Sequence, residues 1–195
     1  RLIIVLMQLV NLLQDGKPVR MSKRSGKAIA LHDLLDEISV DAARYFFNSR
    51  TPSSPLDFDL DLAVREDSEN PVYYVQYANA RICSLISRLA EEGELVPAAF
   101  QVDCALLHEP EALALIKSLA QYPEEIHLAA QSCDPSRINR YLTGLAGDFH
   151  RFYNSCRIKG EAPAVLSARL KLADSVRQVL ALGLVVLGVS APEKM

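Results

Sequence analysis

A basic segment interspersed with small residues occupies positions 20–26, with the sequence RMSKRSG. Its cations, Arg20, Lys23 and Arg24, follow a stretch that has the apolar pattern of a strand. Such cations can neutralise the charge that develops on a triphosphate as it is attacked, and a loop rich in serine and glycine can then close over the ligand. Composition alone, however, favours a solvated basic hairpin over such a phosphate-binding lid.

A second set of candidate side chains combines tyrosine and arginine at helical spacing. At about 100° per residue they fall on one narrow stripe, formed by Tyr74, Tyr77, Arg81, Ser84 and Arg88. Aromatic rings and guanidinium planes stack on unpaired bases while the cations bind phosphates, so the stripe suits single-stranded RNA. Tyrosines packed beneath a neighbouring helix would show the same spacing. Periodicity alone favours neither hypothesis.

One long helix must present this stripe. Ser68 is the predicted N-cap, Pro71 suits the first turn, and the helical period continues to about Ala90. A broader apolar stripe beside the tyrosines predicts the buried face, made by Val75, Ala78, Ile82, Leu85, Ile86 and Leu89. The helix is therefore expected to have a core face and an adjoining aromatic and basic face.

The first 60 residues show a mixed α/β pattern. Residues 2–13 form a continuous apolar run that predicts a buried strand, and Asp15-Gly16 predicts a tight turn into a returning strand. A helical period begins at Leu31 and gives two short helices before the prolines of residues 51–55 interrupt it. This part is expected to be the end of a larger α/β domain.

Beyond residue 60 only helices and loops are predicted. After the helix that presents the tyrosines, the expected helices are 109–122, 123–131, 136–158 and 164–187. The apolar run 179–189 is about half of what a membrane span needs and is predicted to be a buried helix. The fold class is thus mainly α: a helical bundle over 61–195, preceded by a small α/β part over 1–60.

Composition narrows the class of protein. Half of the residues are apolar, which supplies a core, and the net charge of −3 argues against coating nucleic acid through bulk charge alone. The stretch 137–177 is nevertheless basic. The cysteines lie too far apart for a disulfide framework or zinc site, and are predicted to be reduced, buried thiols of a cytoplasmic protein: Cys83, Cys104, Cys133 and Cys156. No membrane association is expected.

A cluster of acids precedes the long helix. Asp57, Asp59 and Asp61 alternate with apolar residues. Three carboxylates could bind a metal ion, but the alternation favours an extended edge or connector with its acids in water. No metal site is therefore predicted.

The basic segment resembles a known motif. Arg20 to Arg24 are similar to the KMSKS motif of class I aminoacyl-tRNA synthetases, which holds the phosphates of ATP. Lys23 falls on the second lysine of the motif, Arg20 replaces the first lysine, and Arg24 replaces the final serine. Arginine keeps the charge but is not equivalent to lysine as a phosphate ligand.

Further blocks resemble the arginyl-tRNA synthetase family specifically. They occur in the family's order and spacing. The resemblance is dense over residues 1–90 and returns in two short blocks nearer the end of the sequence. The blocks are 40–47, 56–63, 69–78, 149–154 and 191–195. The resemblance implies an anticodon-binding helical domain and places Lys23, with Arg20 and Arg24, on ATP phosphates, with Mg²⁺ in the full-length enzyme. It also implies an arginine tRNA as partner, with arginine and ATP as further substrates of the full-length enzyme. The protein is expected to act as a monomer.

The same resemblance implies which residues contact tRNA. Tyr74, Tyr77 and Arg81 match tRNA-contacting positions, Tyr153 is presented by a second helix, and Met195 matches a terminal residue that reaches the anticodon. Arg157 is expected one turn beyond Tyr153 on the same helix face, where it suits a phosphate contact. The candidate tRNA-binding residues are Tyr74, Tyr77, Arg81, Arg88, Tyr153, Arg157 and Met195.

The sequence lacks one element that a class I synthetase needs for its activity. Class I synthetases need a His-x-Gly-His element, and none of the histidines has that context: His32, His108, His127 and His150. The chain also opens without Met on an apolar run, which predicts a part of a longer protein that does not form arginyl-adenylate by itself. Two alternatives stay open: the related helical domain of another class I synthetase, such as the cysteine enzyme, and a helical interaction module with no RNA role.

Overall fold

The computed structural model describes residues 2, 4–19 and 30–195. The predicted ATP-phosphate residues Arg20, Lys23 and Arg24 lie outside the described residues. In the described part a small sheet forms from β1 (Val10–Gln14), β2 (Lys17–Pro18) and β3 (Leu56–Asp59), in the order β2-β1-β3.

A tight turn joins the first two strands. β1 and β2 are antiparallel, and the turn residues Asp15 and Gly16 have φ angles of 51° and 68°. Positive φ at both central positions is the geometry that Asp-Gly favours in a two-residue hairpin. The hairpin prediction is confirmed, whereas β3 pairs with β1 in parallel.

The apolar run at the start of the chain is not the buried strand that its pattern predicts. Among the described residues of this run only Val10–Gln14 is a strand, and Leu2, Leu6 and Leu9 are exposed. β3 pairs with β1 only from Val10 onward. A strand needs a hydrogen-bonded neighbour as well as an apolar sequence, and no described strand pairs with residues 4–9.

Helices make up most of the rest of the described chain. Their bounds are α1 (Leu31–Glu37), α2 (Val40–Phe47), α3 (Leu60–Ala63), α4 (Pro71–Glu91), α5 (Pro110–Ala120), α6 (Tyr122–Ser132), α7 (Ser136–Ser155) and α8 (Pro163–Val186). α4, α5, α7 and α8 pack against one another around a continuous apolar core. The mainly α fold class is confirmed, and the boundary at residue 60 stays a prediction.

The start of α4 differs from the prediction by two residues. The N-cap is Asn70 rather than Ser68, because the Asn70 side chain accepts a hydrogen bond from the backbone N–H of Val72 at 3.2 Å. Its amide also donates to the carbonyl of Arg65 at 2.7 Å. Asn70 is buried, so one side chain both caps the helix and fixes the preceding loop.

α2 is fixed to the bundle by a buried tyrosine. The ring of Tyr45 is 1% exposed, and its hydroxyl lies 2.9 Å from Thr143 Oγ1 and 3.2 Å from the carbonyl of Asn139 on α7. The Asn139 amide donates back to the carbonyl of Tyr45 at 2.9 Å. Burial raises the pKa of Tyr45 to about 12. The phenol therefore stays a neutral hydrogen-bonding group.

A second contact, which we call the Asp41 clasp, joins α2 to α4 and to the segment after α8. The carboxylate of Asp41 accepts from the Gln76 amide at 2.9 Å, from the Ser190 backbone N–H at 3.1 Å and from the Ser190 hydroxyl. Gln76 also donates to the carbonyl of Ser190 at 3.0 Å. Arg44, one turn after Asp41, lies against Gly188. Gly188 has a φ of +68° and stands just after the end of α8.

Removing the carboxylate of the Asp41 clasp is expected to destabilise the whole bundle. Asp41→Ala removes the acceptor of both Ser190 donors and one of the acceptors of the Gln76 amide, so we expect the free energy of unfolding to fall by about 2 kcal/mol. Urea unfolding followed by circular dichroism measures the change. Asp36→Ala, at an exposed position of α1, is the matched control and is expected to have little effect. Equal stability of the two variants would contradict the clasp.

Two predictions of burial are corrected. Cys156 is buried and Cys83 is half-buried, but Cys104 and Cys133 are exposed. Cys104 begins a three-residue 3₁₀ turn, and Cys133 follows the last residue of α6. The run 179–189 is likewise only half-buried: Leu180 and Leu184 face the core, while Val185 lies on the solvent side. An apolar sequence does not reveal that only one side of α8 is covered.

Candidate nucleic-acid interface

The predicted division of α4 into two faces is confirmed. Val75, Ala78 and Ile82 have no exposed surface, whereas Tyr77 is 41% exposed. Tyr74 and Arg81 are half-buried on the same side as Tyr77. α4 packs against α7 and α8 through its apolar stripe, so the adjoining stripe of tyrosines lies at the edge of the helix contact.

The rings at this edge form what we call the aromatic cluster, defined as Tyr73, Tyr74, Tyr77, His150 and Tyr153. Tyr73 and Tyr77, one turn apart on α4, are stacked with ring centroids 6.2 Å apart and an interplanar angle of 7°. His150 of α7 lies 5.0 Å from Tyr74 and 6.2 Å from Tyr77. Partly exposed rings held by two packed helices give a preformed surface on which bases could stack.

Arg81 supplies a cationic group that contacts two rings of the cluster. Its guanidinium carbon lies 4.4 Å from the ring centroid of Tyr153 and 5.9 Å from that of Tyr77. Tyr153 in turn packs on the buried ring of Phe149 at 5.7 Å. No carboxylate pairs with Arg81 within the part of the chain that the structure describes. The charge is thus held by rings and open to an anionic partner.

An open cavity of about 490 Å³ lies against the cluster. Its lining residues are Ser68, Tyr73, Tyr74, Tyr77, Arg81, His150 and Asn154. This volume falls within the range of small-ligand sites, and a cavity lined by rings and a few polar groups is typical of them. The cavity brings together Tyr74, Tyr77 and Arg81, which were predicted from the sequence, and Tyr153 joins them through its contact with Arg81.

His150 belongs to the site, although sequence reasoning did not include it. It stands next to Arg151, and adjacent residues of a helix point in different directions. The spacing of His150 from Tyr153 and Asn154, three and four residues further along α7, places it on the face that meets α4. Helical spacing from Tyr153 was the signal that could have found it.

The surroundings of His150 shift the pKa of its imidazole. Desolvation lowers the pKa of its imidazole below the ordinary value, and the nearby Arg81 cation lowers it further. Burial also raises the pKa of the Tyr74 hydroxyl. At neutral pH both side chains are neutral, so they offer hydrogen bonds and stacking rather than charge, and Arg81 supplies the cation.

The acidity of His150 predicts a pH dependence of stability. As pH falls below about 6.5, the ordinary histidine value, the unfolded chain takes up a proton before the folded chain does. The unfolded state then binds more protons, so the free energy of unfolding decreases with falling pH until the folded state is protonated as well. Urea unfolding at about pH 7.5 and about pH 5.5 should show a smaller decrease in His150→Gln. His127→Gln, at an exposed position, should keep the full decrease.

The remaining predicted tRNA-binding residues lie apart from the cluster. α7 ends at Ser155, so Arg157 is not on the helix face of Tyr153, and its Nε donates to the carbonyl of Lys159 at 2.9 Å. The chain turns here through Gly160, which has a φ of +81°. Arg157 and Tyr153 nevertheless border a neighbouring cavity of about 530 Å³. The predicted extension of this helix to residue 158 is therefore wrong, and a tRNA contact by Arg157 stays a prediction.

Arg88 and Met195 occupy other positions on and near α4. Arg88 is exposed two turns beyond Arg81, and its Nε donates to the carbonyl of Ser84 at 3.3 Å. The segment that ends at Met195 follows a different face of α4, because Asn79 donates to the carbonyl of Pro192 at 2.9 Å. Met195 itself is exposed and does not line the aromatic cavity.

The acidic residues before α4 accept hydrogen bonds that stabilise the fold. Asp57, on the edge strand β3, accepts from the Asn11 amide at 2.9 Å, and Asp61 accepts from the backbone N–H of Asp15 at 2.6 Å. Asp59 caps α3 by accepting from Leu62 N–H at 3.1 Å. No group of three or more potential metal ligands occurs within the described ranges. In those same ranges, no helix is both long and apolar enough to cross a membrane.

Comparisons with known proteins place the chain in a family. The family model that matches the chain is the DALR anticodon binding domain, over residues 75–195. Arginine–tRNA ligases from Acetivibrio thermocellus and Caldanaerobacter subterraneus subsp. tengcongensis are each 53% identical to the chain over 195 residues. The matches cover all of this chain and 35% of each relative. The chain thus spans about a third of the length of the curated relatives it matches.

Solved structures show the same fold. A structure described as an arginyl-tRNA synthetase from Campylobacter jejuni is 33% identical, with a TM-score of 0.84, over 97% of this chain and 40% of that chain. The Thermus thermophilus arginyl-tRNA synthetase is 24% identical, with a TM-score of 0.75, over 94% of this chain and 34% of that one. At that lower identity the likeness concerns the fold alone.

Proposed function

Because the chain belongs to the DALR anticodon binding domain family and matches arginine–tRNA ligases over its whole length, we propose that it binds the anticodon arm of an arginine tRNA through the aromatic cluster and Arg81. The observation that supports this proposal is the partly exposed set of rings on α4 and α7 with an arginine held among them. Bases exposed in a loop stack on such rings, and guanidinium groups bind the adjoining phosphates.

The family assignment decides between the synthetase alternatives. The resemblance inferred from the sequence blocks is confirmed, and the relatives named above are arginine–tRNA ligases rather than the cysteine enzyme. A helical interaction module with no RNA role would leave unexplained the exposed rings and an Arg81 that forms no ion pair with any described residue. The two functions differ in salt dependence, because neutralising RNA phosphates releases counterions and a protein–protein contact need not.

Within the whole protein, the activity we propose is ATP-dependent ligation of arginine to its tRNA. The resemblance of residues 20–24 to the KMSKS motif supports Lys23, with Arg20 and Arg24, as ligands of the ATP phosphates. In the longer enzyme the anticodon-binding surface would hold the tRNA while the catalytic part acts at its other end. The protein is proposed to act as a monomer in the cytoplasm.

A binding titration tests the proposed function. The chain is titrated with an RNA hairpin that has the anticodon stem-loop of an arginine tRNA, and with a hairpin that has the same stem and a swapped loop, at two salt concentrations. We expect preference for the arginine loop at both concentrations and weaker binding of both hairpins at the higher one. Equal affinity for the two loops, or no binding, would contradict anticodon recognition by this surface.

A further inference from the structure

The two nitrogens of the His150 imidazole have different surroundings. Nδ1 is shielded from solvent and has no hydrogen-bond partner among the described residues. Nε2 has no protein partner in the same part of the chain either, but it is not shielded, and the ring lines the aromatic cavity. One nitrogen is therefore enclosed in the protein, and the other is available to a ligand in the cavity.

The enclosed nitrogen determines where the proton lies. A neutral imidazole has one N–H donor and one acceptor nitrogen. Unpaired buried N–H groups are rarer in proteins than unpaired buried acceptors. The proton is therefore best placed on Nε2, with the bare lone pair on the shielded Nδ1. In this tautomer His150 presents an N–H donor to the cavity.

Asn154 provides a second polar group beside this donor. It stands four residues after His150 on α7, which places the two side chains next to each other at about 5–6 Å between Cβ atoms. Asn154 is exposed, and its amide has no hydrogen-bond partner in the part of the chain described. At this spacing both side chains can reach the edge of one flat heterocycle.

The rings of the cluster set the plane of such a ligand. Tyr73 and Tyr77 are nearly parallel, and the Tyr74 ring contacts the His150 ring. A flat ring stacked on these tyrosines lies beside His150, so its edge can meet the polar groups of α7. The cavity of about 490 Å³ is open on one side, so the ligand can remain attached to a chain outside.

We propose that His150, with Asn154 beside it, recognises the edge of one unstacked RNA base in this cavity by donating an Nε2–H hydrogen bond to a base carbonyl oxygen. Cytosine, uracil and guanine each have a carbonyl group, whereas adenine has none, so the cavity discriminates against adenine. The inference rests on the proposed function and adds to it the residue that selects the base.

The test compares loop variants of the RNA hairpin described above. Each loop position in turn is replaced by adenine, and affinities are measured for the wild type, His150→Phe and His150→Gln. At one position adenine should weaken binding to the wild type by about tenfold. His150→Phe should bind that variant and the parent hairpin equally. His150→Gln should restore the difference, because its amide N–H reaches the place of imidazole Nε2–H.

Controls separate recognition from folding. Thermal melting establishes whether each variant is folded; if His150→Phe is not, His150→Asn replaces it, since its shorter amide does not reach the position of Nε2. His127→Phe, the same change at an exposed histidine of α6, should leave adenine discrimination intact. If folded His150→Phe or His150→Asn discriminates against adenine at each loop position as strongly as the wild type does, the inference is overturned while the proposed function stands. A wild type that binds no hairpin overturns both.

Discussion

Replacing Tyr77 by alanine is expected to weaken binding of the arginine anticodon hairpin by about 1–3 kcal/mol, or roughly fivefold to more than a hundredfold. The ring is 41% exposed, stacks on Tyr73 and lies beneath the Arg81 guanidinium. Its removal takes away a stacking platform and one support for the cation. Fluorescence anisotropy with labelled hairpin measures the loss, and Tyr77→Phe should retain most of the affinity because the ring remains.

Stability measurements distinguish this effect from a general loss of structure. Because Tyr77 is partly exposed, Tyr77→Ala should lower the free energy of unfolding by no more than about 1 kcal/mol. Phe149→Ala is the comparison, since that ring is 0% exposed beneath the same cluster. We expect it to cost about 3–5 kcal/mol of stability. If Tyr77→Ala unfolded the bundle to the extent of Phe149→Ala, Tyr77 would be a core residue.

Removing the carboxylate of Glu109 is expected to cost about 3 kcal/mol of stability, because it leaves a buried cation without its main partner. The side chain of Arg169 on α8 is only 10% exposed. It binds Glu109, donates to the backbone carbonyl of Arg157, and lies 3.5 Å from Glu161. These contacts join the loop before α5 to the chain beyond α7. Chemical unfolding of Glu109→Ala measures the loss.

A double variant tests the electrostatic cause. Glu109→Leu combined with Arg169→Met removes both charges and should recover most of the stability that Glu109→Ala loses. Burial of Glu109 would raise its pKa, but its backbone hydrogen bond and Arg169 together lower it. Stability from this pair is therefore present above the ordinary glutamate value, about pH 4.3, and is lost as pH falls through the lower folded value. Additive losses in the double variant would argue for packing instead.

α4 illustrates how much the sequence predicts when one rule dominates. The apolar residues that recur at helical spacing are the ones that lie in the core, including Val75, Ala78 and Ile82. Burial of apolar surface is the main stabilising term in folding, so the period of apolar residues specifies which face is covered. The adjoining stripe of Tyr74, Tyr77 and Arg81 was therefore placed at the boundary of the core without any structure.

The ends of elements were less predictable, because several local residues compete for the same role. Ser68 and Asn70 are both good N-caps, and the sequence does not show that Asn70 alone can also reach the carbonyl of Arg65. The C-terminal end of α7 was also predicted at the wrong residue. Arg157 follows an apolar helical pattern, yet the helix ends at Ser155 and the chain turns at Gly160.

By itself, the sequence determined the helical class, the core faces of the long helices, the Asp15-Gly16 hairpin and the aromatic and basic stripe on α4. Each depends on residues close together in the chain, for which spacing and backbone preference are sufficient. Only the tertiary structure brought His150 of α7 against the tyrosines of α4, closed the Asp41 clasp on Ser190, and left Leu2, Leu6 and Leu9 exposed. These features depend on which distant segments meet, and no local period encodes the partner that covers a side chain.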